Sequence, residues 1–537
     1  MRTKSRATAV QVVESVAGRR RVVAHVGSAH DEVGLGVLME KAHRLLEDRR
    51  QAPLDFGVAV PVVRTELIGA AAPVLFPDGS GKKKRVLVAP AAVLSTASDL
   101  LYEVIAKVYD DLGFGVIGDR VFKDLVVAQI VEPTSLLDVD RVLSELGRTS
   151  ASRATRERTL DRCVSGSYRG QIGKACFKHA FTSGDVSLVL YDVTTLRTQA
   201  AKEDDFRRTG YSKDRSIDPQ IVVGLLVDRE GFPLEVACFD GGKAEKLTIV
   251  HVVDTFKARH GIEHMVVAAD AGMLSEKNLA ALDGNGYKFI VGSRATKAPI
   301  DLESHFAWRG EFTIDGQTVD TLTPRRGRNT DNDPRELAEP VWDPETHPSS
   351  WRAIWQYSAK RFAHDNQTLN AQQARAQAIV DGEKAAHKPR FVKTVGERLA
   401  LDEATLARAR KVAGLKGYVT NMPATIMPAA EVIASYHDLW HVEASFRISK
   451  SDLAARPFFA STRDSIEAHL TIVFAALAIS RTMQKRSGMA PRRILRTLRP
   501  LRSATIRVNG VTQTLPPVLT PEQQTLIYDL KNDNSRH

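Results

Sequence analysis

Two aspartates each end a run of apolar residues that predicts a buried β-strand. Asp192 closes the run 186–192, and Asp270 closes the run 264–270. A carboxylate in such a place needs a partner, because its removal from water costs several kcal/mol. A turn or a cap would explain either aspartate alone about equally well. The pair is the stronger indication of chemistry, because we expect both side chains to project into one cleft.

A third carboxylate, Glu443, lies in a segment of helical periodicity from about residue 429 to 449. Four polar residues fall on one helical stripe there, at spacings of seven, four and three: Tyr436, Glu443, Arg447 and Lys450. One interpretation is a surface stripe with an ion pair between Glu443 and Arg447. The other is a stripe that faces the sheet, delivering Glu443 to the two aspartates and Lys450 to a phosphate.

Three carboxylates within reach of one another would repel, so they imply a cation between them. Ligands that are all oxygen favour Mg²⁺ or Mn²⁺ over Zn²⁺. Two such ions about 3.5–4 Å apart can activate a water or a 3′-hydroxyl and stabilise the leaving oxygen at phosphorus. The pattern therefore indicates metal-dependent chemistry on phosphodiesters.

The elements around these residues predict an α/β fold in the order β-β-β-α-β-α-β, followed by the helix that carries Glu443. The predicted elements are strands at 186–192, 220–227 and 233–239, a helix at 246–259, a strand at 264–270, a helix at 275–282 capped by Ser275, and a strand at 288–292. A three-stranded meander followed by crossover units is the order expected of an RNase H-like mixed sheet. In that order the first and fourth strands are neighbours.

The rest of the chain divides by composition and periodicity. We expect a helical region that suits DNA binding or a plain linker bundle about equally well, a β-rich insertion in the core, and a basic tail. The predicted bounds are 1–70 for an N-terminal β-hairpin unit, 85–183 for the helical region, 184–294 and 425–486 for the two parts of the catalytic core, 295–424 for the insertion and 487–537 for the tail.

Several smaller elements are also predicted inside these regions. They are a helix at 37–48, a linker at 71–84, strands at 310–314, 318–322 and 354–358, a charged helix at 359–384 and an apolar helix at 464–485.

Composition excludes some classes of protein. A hydrophobic fraction of 43% in 537 residues excludes disorder of the whole chain. The longest apolar run, 468–480, is too short to span a bilayer, and the first residues lack the apolar segment of a signal peptide. Three cysteines make no disulfide framework, so we expect a reducing cytoplasm. The net charge of +11 comes from basic clusters spread along the chain, which suggests a groove that follows a phosphate backbone.

Three blocks of sequence carry the acids: Tyr-Asp-Val-Thr-Thr-Leu at 191–196, Ala-Asp-Ala-Gly-Met-Leu-Ser at 269–275, and the segment 436–450. They resemble the DDE transposases of bacterial insertion sequences, especially insertion-sequence family four. The signature of that family is Tyr, two residues, Arg, three residues, Glu, six residues and Lys. Tyr436, Glu443 and Lys450 match it, whereas Leu439 occupies the Arg position.

The resemblance implies cleavage and strand transfer at transposon ends, with Asp192, Asp270 and Glu443 as catalytic ligands of two Mg²⁺ or Mn²⁺ ions. It implies that Tyr436 and Lys450 bind the terminal phosphates of the DNA. Arg447 is then a candidate replacement for the missing Arg as a DNA contact.

The resemblance also implies partners and a location. The partners would be double-stranded DNA, both transposon ends and target, and a second copy of the chain, forming a homodimer on DNA in a bacterial cytoplasm. The insertion of such enzymes helps to handle the cut end, so Trp308, Trp351 or Trp355 would stack on a displaced base.

Two other functions stay open. One is an RNase H-like nuclease that cuts without strand transfer, and the other is a catalytically inactive DNA-binding protein derived from a transposase. Metal-dependent cutting separates the enzymes from the binding protein. Joining of the cut end to a second duplex separates the transposase from the nuclease.

Overall fold

The computed structural model describes residues 8–16, 19–29, 92–184, 186–197, 203–208, 219–242, 248–262, 265–271, 275–327, 332–333, 335, 337–384, 390–395, 398–455, 462–508 and 511–532.

 The chain divides into two compact units, Met1–Val86 and Leu87–His537.

The first unit contains an antiparallel β-hairpin. Strand β1 is Thr8–Val16 and strand β2 is Arg19–Ala29, paired from Thr8 with Ala29 to Val16 with Arg19. The predicted N-terminal hairpin is confirmed. The predicted helix at 37–48 and the predicted linker at 71–84 lie outside the described residues.

The second unit begins with a strand and a group of helices. The prediction of a helical region from residue 85 is wrong at its start, because Ala92–Ala97 form strand β3, which pairs with a strand near the C-terminus. The helices that follow are α1 Asp99–Asp111, a 3₁₀ turn Phe114–Ile117, α2 Arg120–Val131, α3 Val139–Glu145, α4 Arg153–Ser165 and α5 Tyr168–Ser183.

The middle of the chain alternates strands and helices around one large sheet. In chain order the elements are β4 Leu188–Arg197, β5 Gln220–Val227, β6 Pro233–Asp240, α6 Ile249–His260, β7 Val266–Ala269, α7 Glu276–Gly284, β8 Lys288–Ser293, a 3₁₀ turn Ala295–Lys297, α8 Ala298–Asp301, α9 Glu303–Trp308, β9 Thr318–Pro324, β10 Ser350–Tyr357, α10 Ala359–Val380, β11 Val392–Val395, β12 Arg398–Leu401, α11 Glu403–Lys411 and β13 Leu415–Thr420. Ser275 caps α7 by accepting a hydrogen bond from the Asn278 amide, as predicted.

Eight of these strands form a mixed sheet in the order β6-β5-β4-β7-β8-β13-β10-β9. Strands β4, β7 and β8 run parallel, and the other pairs are antiparallel. All eight residues of β5 are buried, as expected for a strand covered on both faces. The predicted mixed α/β fold is confirmed, and β4 and β7 are neighbours in the sheet.

The position predicted for Asp192 in its strand is wrong. Asp192 is the fifth of the ten residues of β4 and lies opposite Leu225 of β5, rather than at the end of a strand. The strand continues because β5 pairs with it as far as Arg197 opposite Gln220. The residues after Asp192 also include Val and two Thr, which are β-branched and favour extended structure.

The predicted insertion contributes strands to the same sheet as the core. Strands β9, β10 and β13 extend it beyond β8, while β11 and β12 form a separate two-stranded hairpin. The strand predicted at 310–314 is wrong, since this segment is irregular and Gly310 has a φ of 75°. The charged helix is confirmed as α10, which ends at Val380, four residues earlier than predicted.

The helix predicted to run unbroken from 429 to 449 is also interrupted. Helix α12 is Ala429–His437, helix α13 is Trp440–Arg447, and a π-helical turn Ile448–Asp452 follows. Hydrogen bonds from residue i to i−3 replace the regular pattern at the junction, from Leu439 to Tyr436 and from His441 to Asp438. Arg229 fixes the junction from outside, because its Nε lies 2.8 Å from Asp438 Oδ2.

The C-terminal part is folded rather than a tail. It contains α14 Arg463–Ser487, α15 Pro491–Leu498, β14 Ser503–Val508, β15 Val511–Leu515 and α16 Pro521–Lys531. Strand β14 pairs with both β3 and β15. Helix α14 is long and apolar enough to cross a membrane, but 83% of its most apolar window is buried inside the protein, where it contacts α2, α4 and β6.

Candidate active site

The three predicted acids line one cavity of about 860 Å³, which we call the acidic cavity. Asp192, Asp270 and Glu443 lie far apart in the chain and reach this cavity from β4, from the end of β7 and from α13. Asp270 and Glu443 are exposed and Asp192 is partly buried, so solvent and ligands reach all three.

The parallel register of β4 and β7 places the two aspartates side by side. The last paired residues of the two strands are Tyr191 and Ala269, and Asp192 and Asp270 directly follow them in the sequence. Parallel strands lie about 4.8 Å apart. The strand ends at Ala269, so Asp270 lies just beyond it and is exposed. Asp192, in contrast, stays within β4.

Glu443 reaches the cavity because α13 packs on the sheet beside it. This helix contacts β4 and β5, with Val442 and Phe446 buried against the core. Glu443 and Arg447 form no ion pair in the described part of the chain, so that interpretation of the stripe is not supported. Ser445 ties the helix to the β5–β6 turn, since its Oγ donates to the Gly231 carbonyl at 2.6 Å.

Tyr436 contacts one of the acids directly. Its hydroxyl donates to Asp270 Oδ1 at 2.8 Å and accepts from Lys416 Nζ at 3.3 Å. Burial raises the pKa of Tyr436, and the neighbouring charge of Asp270 adds to the shift. The phenol is therefore a neutral hydrogen-bond donor to the carboxylate.

The two cationic residues predicted on the stripe, Arg447 and Lys450, lie at different sites in the structure. Lys450 lies in the π-helical turn, and its ammonium donates to Thr194 Oγ1, on the same face of β4 as Asp192. Arg447 lines a different cavity of about 680 Å³, which we call the second cavity. The structure thus brings Tyr436 and Glu443 into the acidic cavity, places Lys450 beside Thr194 on β4, and places Arg447 in the second cavity.

The acidic cavity is also lined by basic residues that no sequence pattern singled out. Lys360, Arg361 and His364 extend from the first turns of α10, and Lys416 extends from β13. Burial lowers the pKa of Lys416, Asp270 opposes that shift, and Arg361 adds to it. Lys360, Arg361 and His364 lie in a charged helix start within the insertion. Such a start is common on any solvated helix, so it does not indicate a site.

The tryptophans predicted to stack on a displaced base divide by burial. Trp351 and Trp355 have exposed fractions of 2% and 0%, so the prediction is wrong for both, because a core side chain offers no face to a base. Trp308 is 49% exposed but does not line the acidic cavity. Trp440, which was not predicted, is 57% exposed and does line it.

The donor chemistry of the acidic cavity fits a hard divalent cation. Asp192, Asp270 and Glu443 offer only oxygen, the donor that Mg²⁺ and Mn²⁺ prefer. Within the part of the chain that the structure describes, no three His, Cys, Asp or Glu side chains are grouped closely enough to hold a metal ion. A bound ion would therefore have to draw these carboxylates closer together.

Comparison with known proteins places this site in a family. The family model described as "Transposase DDE domain" matches residues 184–479, which is more than half of the chain and includes all three acids. The chain belongs to this transposase family. No curated protein matches the sequence significantly.

Among solved structures, this transposase-family chain is similar to the piggyBac transposase in a synaptic complex with hairpin DNA. The identity is 9%, the TM-score is 0.37, and the match covers 73% of this chain and 70% of the other. A TM-score this low says nothing about the chemistry of this chain.

Proposed function

We propose that this chain is a DNA transposase that binds the ends of an insertion sequence and catalyses metal-dependent DNA cleavage and strand transfer on an RNase H-like domain. One observation carries the proposal. Carboxylates from three distant segments, Asp192, Asp270 and Glu443, line one cavity beside parallel strands of a mixed sheet. The family to which the chain belongs supports the same chemistry.

Asp192, Asp270 and Glu443 would hold two Mg²⁺ or Mn²⁺ ions. Such ions, when bound, activate a water or 3′-hydroxyl and stabilise the leaving oxygen at phosphorus. The chain's own contribution is position: β4 fixes Asp192 within a sheet, Tyr436 holds one oxygen of Asp270, and packing of α13 on β4 orients Glu443.

DNA would lie across the acidic cavity, with its phosphates near the cations. Lys450 brings an ammonium beside Thr194, two residues from Asp192. Lys360, Arg361 and His364 line the cavity and have no side-chain hydrogen bond or ion pair to other described residues. Cations without protein partners are the ones that a phosphate backbone can use. Arg447 would contact DNA outside this cavity.

The finer assignments belong to the same proposal. The spacing of Tyr436, Glu443 and Lys450 supports a member of insertion-sequence family four, with bacterial origin, a homodimer on paired ends and a cytoplasmic location. Leu439 departs from that signature and is a buried residue of the cavity wall, where it offers no charge to a phosphate.

The decisive experiment measures cutting and binding separately. The substrate is a labelled duplex carrying the DNA that flanks the gene, with Mg²⁺ or with EDTA. Asp192→Asn, Asp270→Asn and Glu443→Gln should each abolish cutting and leave binding in EDTA unchanged. Glu431→Gln, an exposed acid on α12, is the matched control and should cut normally.

Two outcomes would contradict the proposal in different ways. Full cutting by any one of the three variants would remove that residue from the catalytic set. Cutting of the duplex by the unaltered protein without joining of the cut end to a second duplex would leave a nuclease in place of a transposase.

A further inference from the structure

The hydroxyl of Tyr436 makes a direct contact with Asp270, one of the acids of the cavity. It donates to Asp270 Oδ1 at 2.8 Å, and Lys416 Nζ lies 3.3 Å from its oxygen. The Lys416 ammonium also lies over the ring, 4.9 Å from its centroid. The phenol therefore sits between a carboxylate and a cation.

A phenol has a single proton to donate. Once that proton is bonded to Asp270, the oxygen of Tyr436 has only lone pairs left, and these accept hydrogen bonds. A phosphate oxygen is itself an acceptor, so it gains nothing from a hydroxyl in this state. Tyr436 cannot hold Asp270 and donate to a DNA phosphate at the same time.

Lys416 strengthens the bond between Tyr436 and Asp270. Donation from an ammonium to the phenol oxygen draws electron density from it, which makes the O–H group a better donor. Lys416 comes from β13, a neighbour of β8 in the sheet, so this arrangement is anchored in regular structure rather than in a loop.

The protein also leaves space for the phenol at one glycine. A Cβ at Gly292 in β8 would overlap the hydroxyl oxygen of Tyr436. Across the strand pair, Gly292 lies opposite Tyr418, whose ring meets the Tyr436 ring edge-on at 5.0 Å. The ring is thus confined on two sides, and its hydroxyl is aimed at Asp270.

We propose that Tyr436 is a positioning residue for Asp270 rather than a phosphate contact, with Lys416 and the open space at Gly292 holding its hydroxyl in place. The inference rests on the proposed function, because it assumes that Asp270 binds a divalent cation. With Oδ1 held by Tyr436, the carboxylate is kept in one orientation before the ion arrives. Partners that orient a ligand commonly change metal affinity by 10–100-fold.

The test uses the full chain and two measurements that need no turnover. Mn²⁺ affinity is measured without DNA, from the loss of the free-ion electron paramagnetic resonance signal. DNA affinity is measured in EDTA with the labelled flanking duplex. Tyr436→Phe should weaken Mn²⁺ binding by about tenfold or more and leave DNA binding unchanged. Gly292→Ala, which keeps the phenol but displaces it, should have the same effect.

Tyr418→Phe is the matched control. It removes a hydroxyl from the neighbouring ring, one that pairs with His437 Nε2 at 3.1 Å and does not touch an acid, so Mn²⁺ affinity should be unchanged. Thermal melting of each variant shows whether the chain is folded.

The outcomes separate this inference from the function on which it rests. Unchanged Mn²⁺ affinity in Tyr436→Phe overturns the positioning role, and a fall in DNA affinity alongside it restores the phosphate contact. If the unaltered protein binds Mn²⁺ no better than Asp270→Asn does, the metal site of the proposed function fails instead.

Discussion

The acidic cavity and the second cavity lie on either side of helix α13. They differ in whether their charged side chains have partners in the protein. Glu443 lines the acidic cavity, whereas His441, Ala444 and Arg447 line the second cavity. In the acidic cavity, Lys360 and Arg361 form no side-chain hydrogen bond or ion pair within the described part of the chain.

Most charges of the second cavity have partners in the protein. Lys485 pairs with Glu230 at 2.6 Å, and Arg492 pairs with Asp452 at 2.7 Å. Arg481 Nε donates to the Gly231 carbonyl at 3.1 Å, and another of its nitrogens donates to the Glu230 carbonyl. The contacts of Lys485 and Arg481 fix the turn between β5 and β6 against α14, and the pair of Arg492 with Asp452 joins α15 to the π-helical turn.

This difference in partners indicates two roles for similar side chains. Cations that already have partners hold the elements that position Glu443. Cations without protein partners are available to a ligand, and a polyanion such as DNA is the ligand that the family indicates. The comparison predicts that stability depends on the paired cations of the second cavity and that DNA binding depends on the unpaired cations of the acidic cavity.

The largest effect on stability should come from Arg481→Ala. The change removes two charge-assisted hydrogen bonds to backbone carbonyls and should lower the free energy of unfolding by about 2–3 kcal/mol. Arg361→Ala, in the acidic cavity, should change it by less than about 0.5 kcal/mol. Urea unfolding followed by circular dichroism measures both. Equal losses in the two variants would show that the two cavities do not differ in this way.

The fold was most predictable where local sequence decides it. Strand β5 has the predicted bounds, because eight consecutive residues suit a buried strand and the turn Asp228-Arg-Glu-Gly231 ends it. The interruption of the Glu443 helix was not predictable, since the contact between Arg229 and Asp438 joins residues far apart in the chain. The strands of the insertion likewise join the main sheet through pairings that no local pattern specifies.

The candidate site was predictable in its acids and not in its cations. Asp192 and Asp270 follow apolar runs, and Glu443 follows a helical spacing, so each has a local signal. Lys416 stands in a strand of the insertion, and only the pairing of β13 with β8 brings it to Tyr436. Tyr436 had a signal from its spacing, but its bond to Asp270 depends on the tertiary structure.

DNA binding should respond to the unpaired cations of the acidic cavity and not to the paired cations of the second cavity. Lys360→Gln with Arg361→Gln removes two cations and should reduce the slope of log affinity against log salt by about 0.9 for each. Lys485→Gln with Arg492→Gln removes the same two residue types from the second cavity and should leave the slope unchanged. Fluorescence anisotropy of a labelled duplex over a range of salt concentrations measures both. A reduced slope for Lys485→Gln with Arg492→Gln would show that DNA also contacts the second cavity, on the other side of α13.

The smallest effect concerns a partly buried acid of the second cavity, Asp228. Its Oδ1 accepts hydrogen bonds from the amides of Glu230 and Phe232 at 2.9 Å and 2.8 Å. Burial raises the pKa of Asp228 to about 6, with the nearby Glu230 adding to the shift and Lys485 opposing it.

Because that pKa is raised on folding, the native state binds more protons than the unfolded state between about pH 4 and pH 6. The stability linked to Asp228 is therefore fully present below that window and is lost as the pH rises through 6. Asp228→Asn keeps an acceptor oxygen and does not titrate. Its melting temperature, relative to the unaltered protein, should rise by roughly 2–4 °C between pH 4 and pH 7. A difference that stays constant across this range, measured by differential scanning calorimetry, would show that Asp228 titrates alike in the folded and unfolded chain.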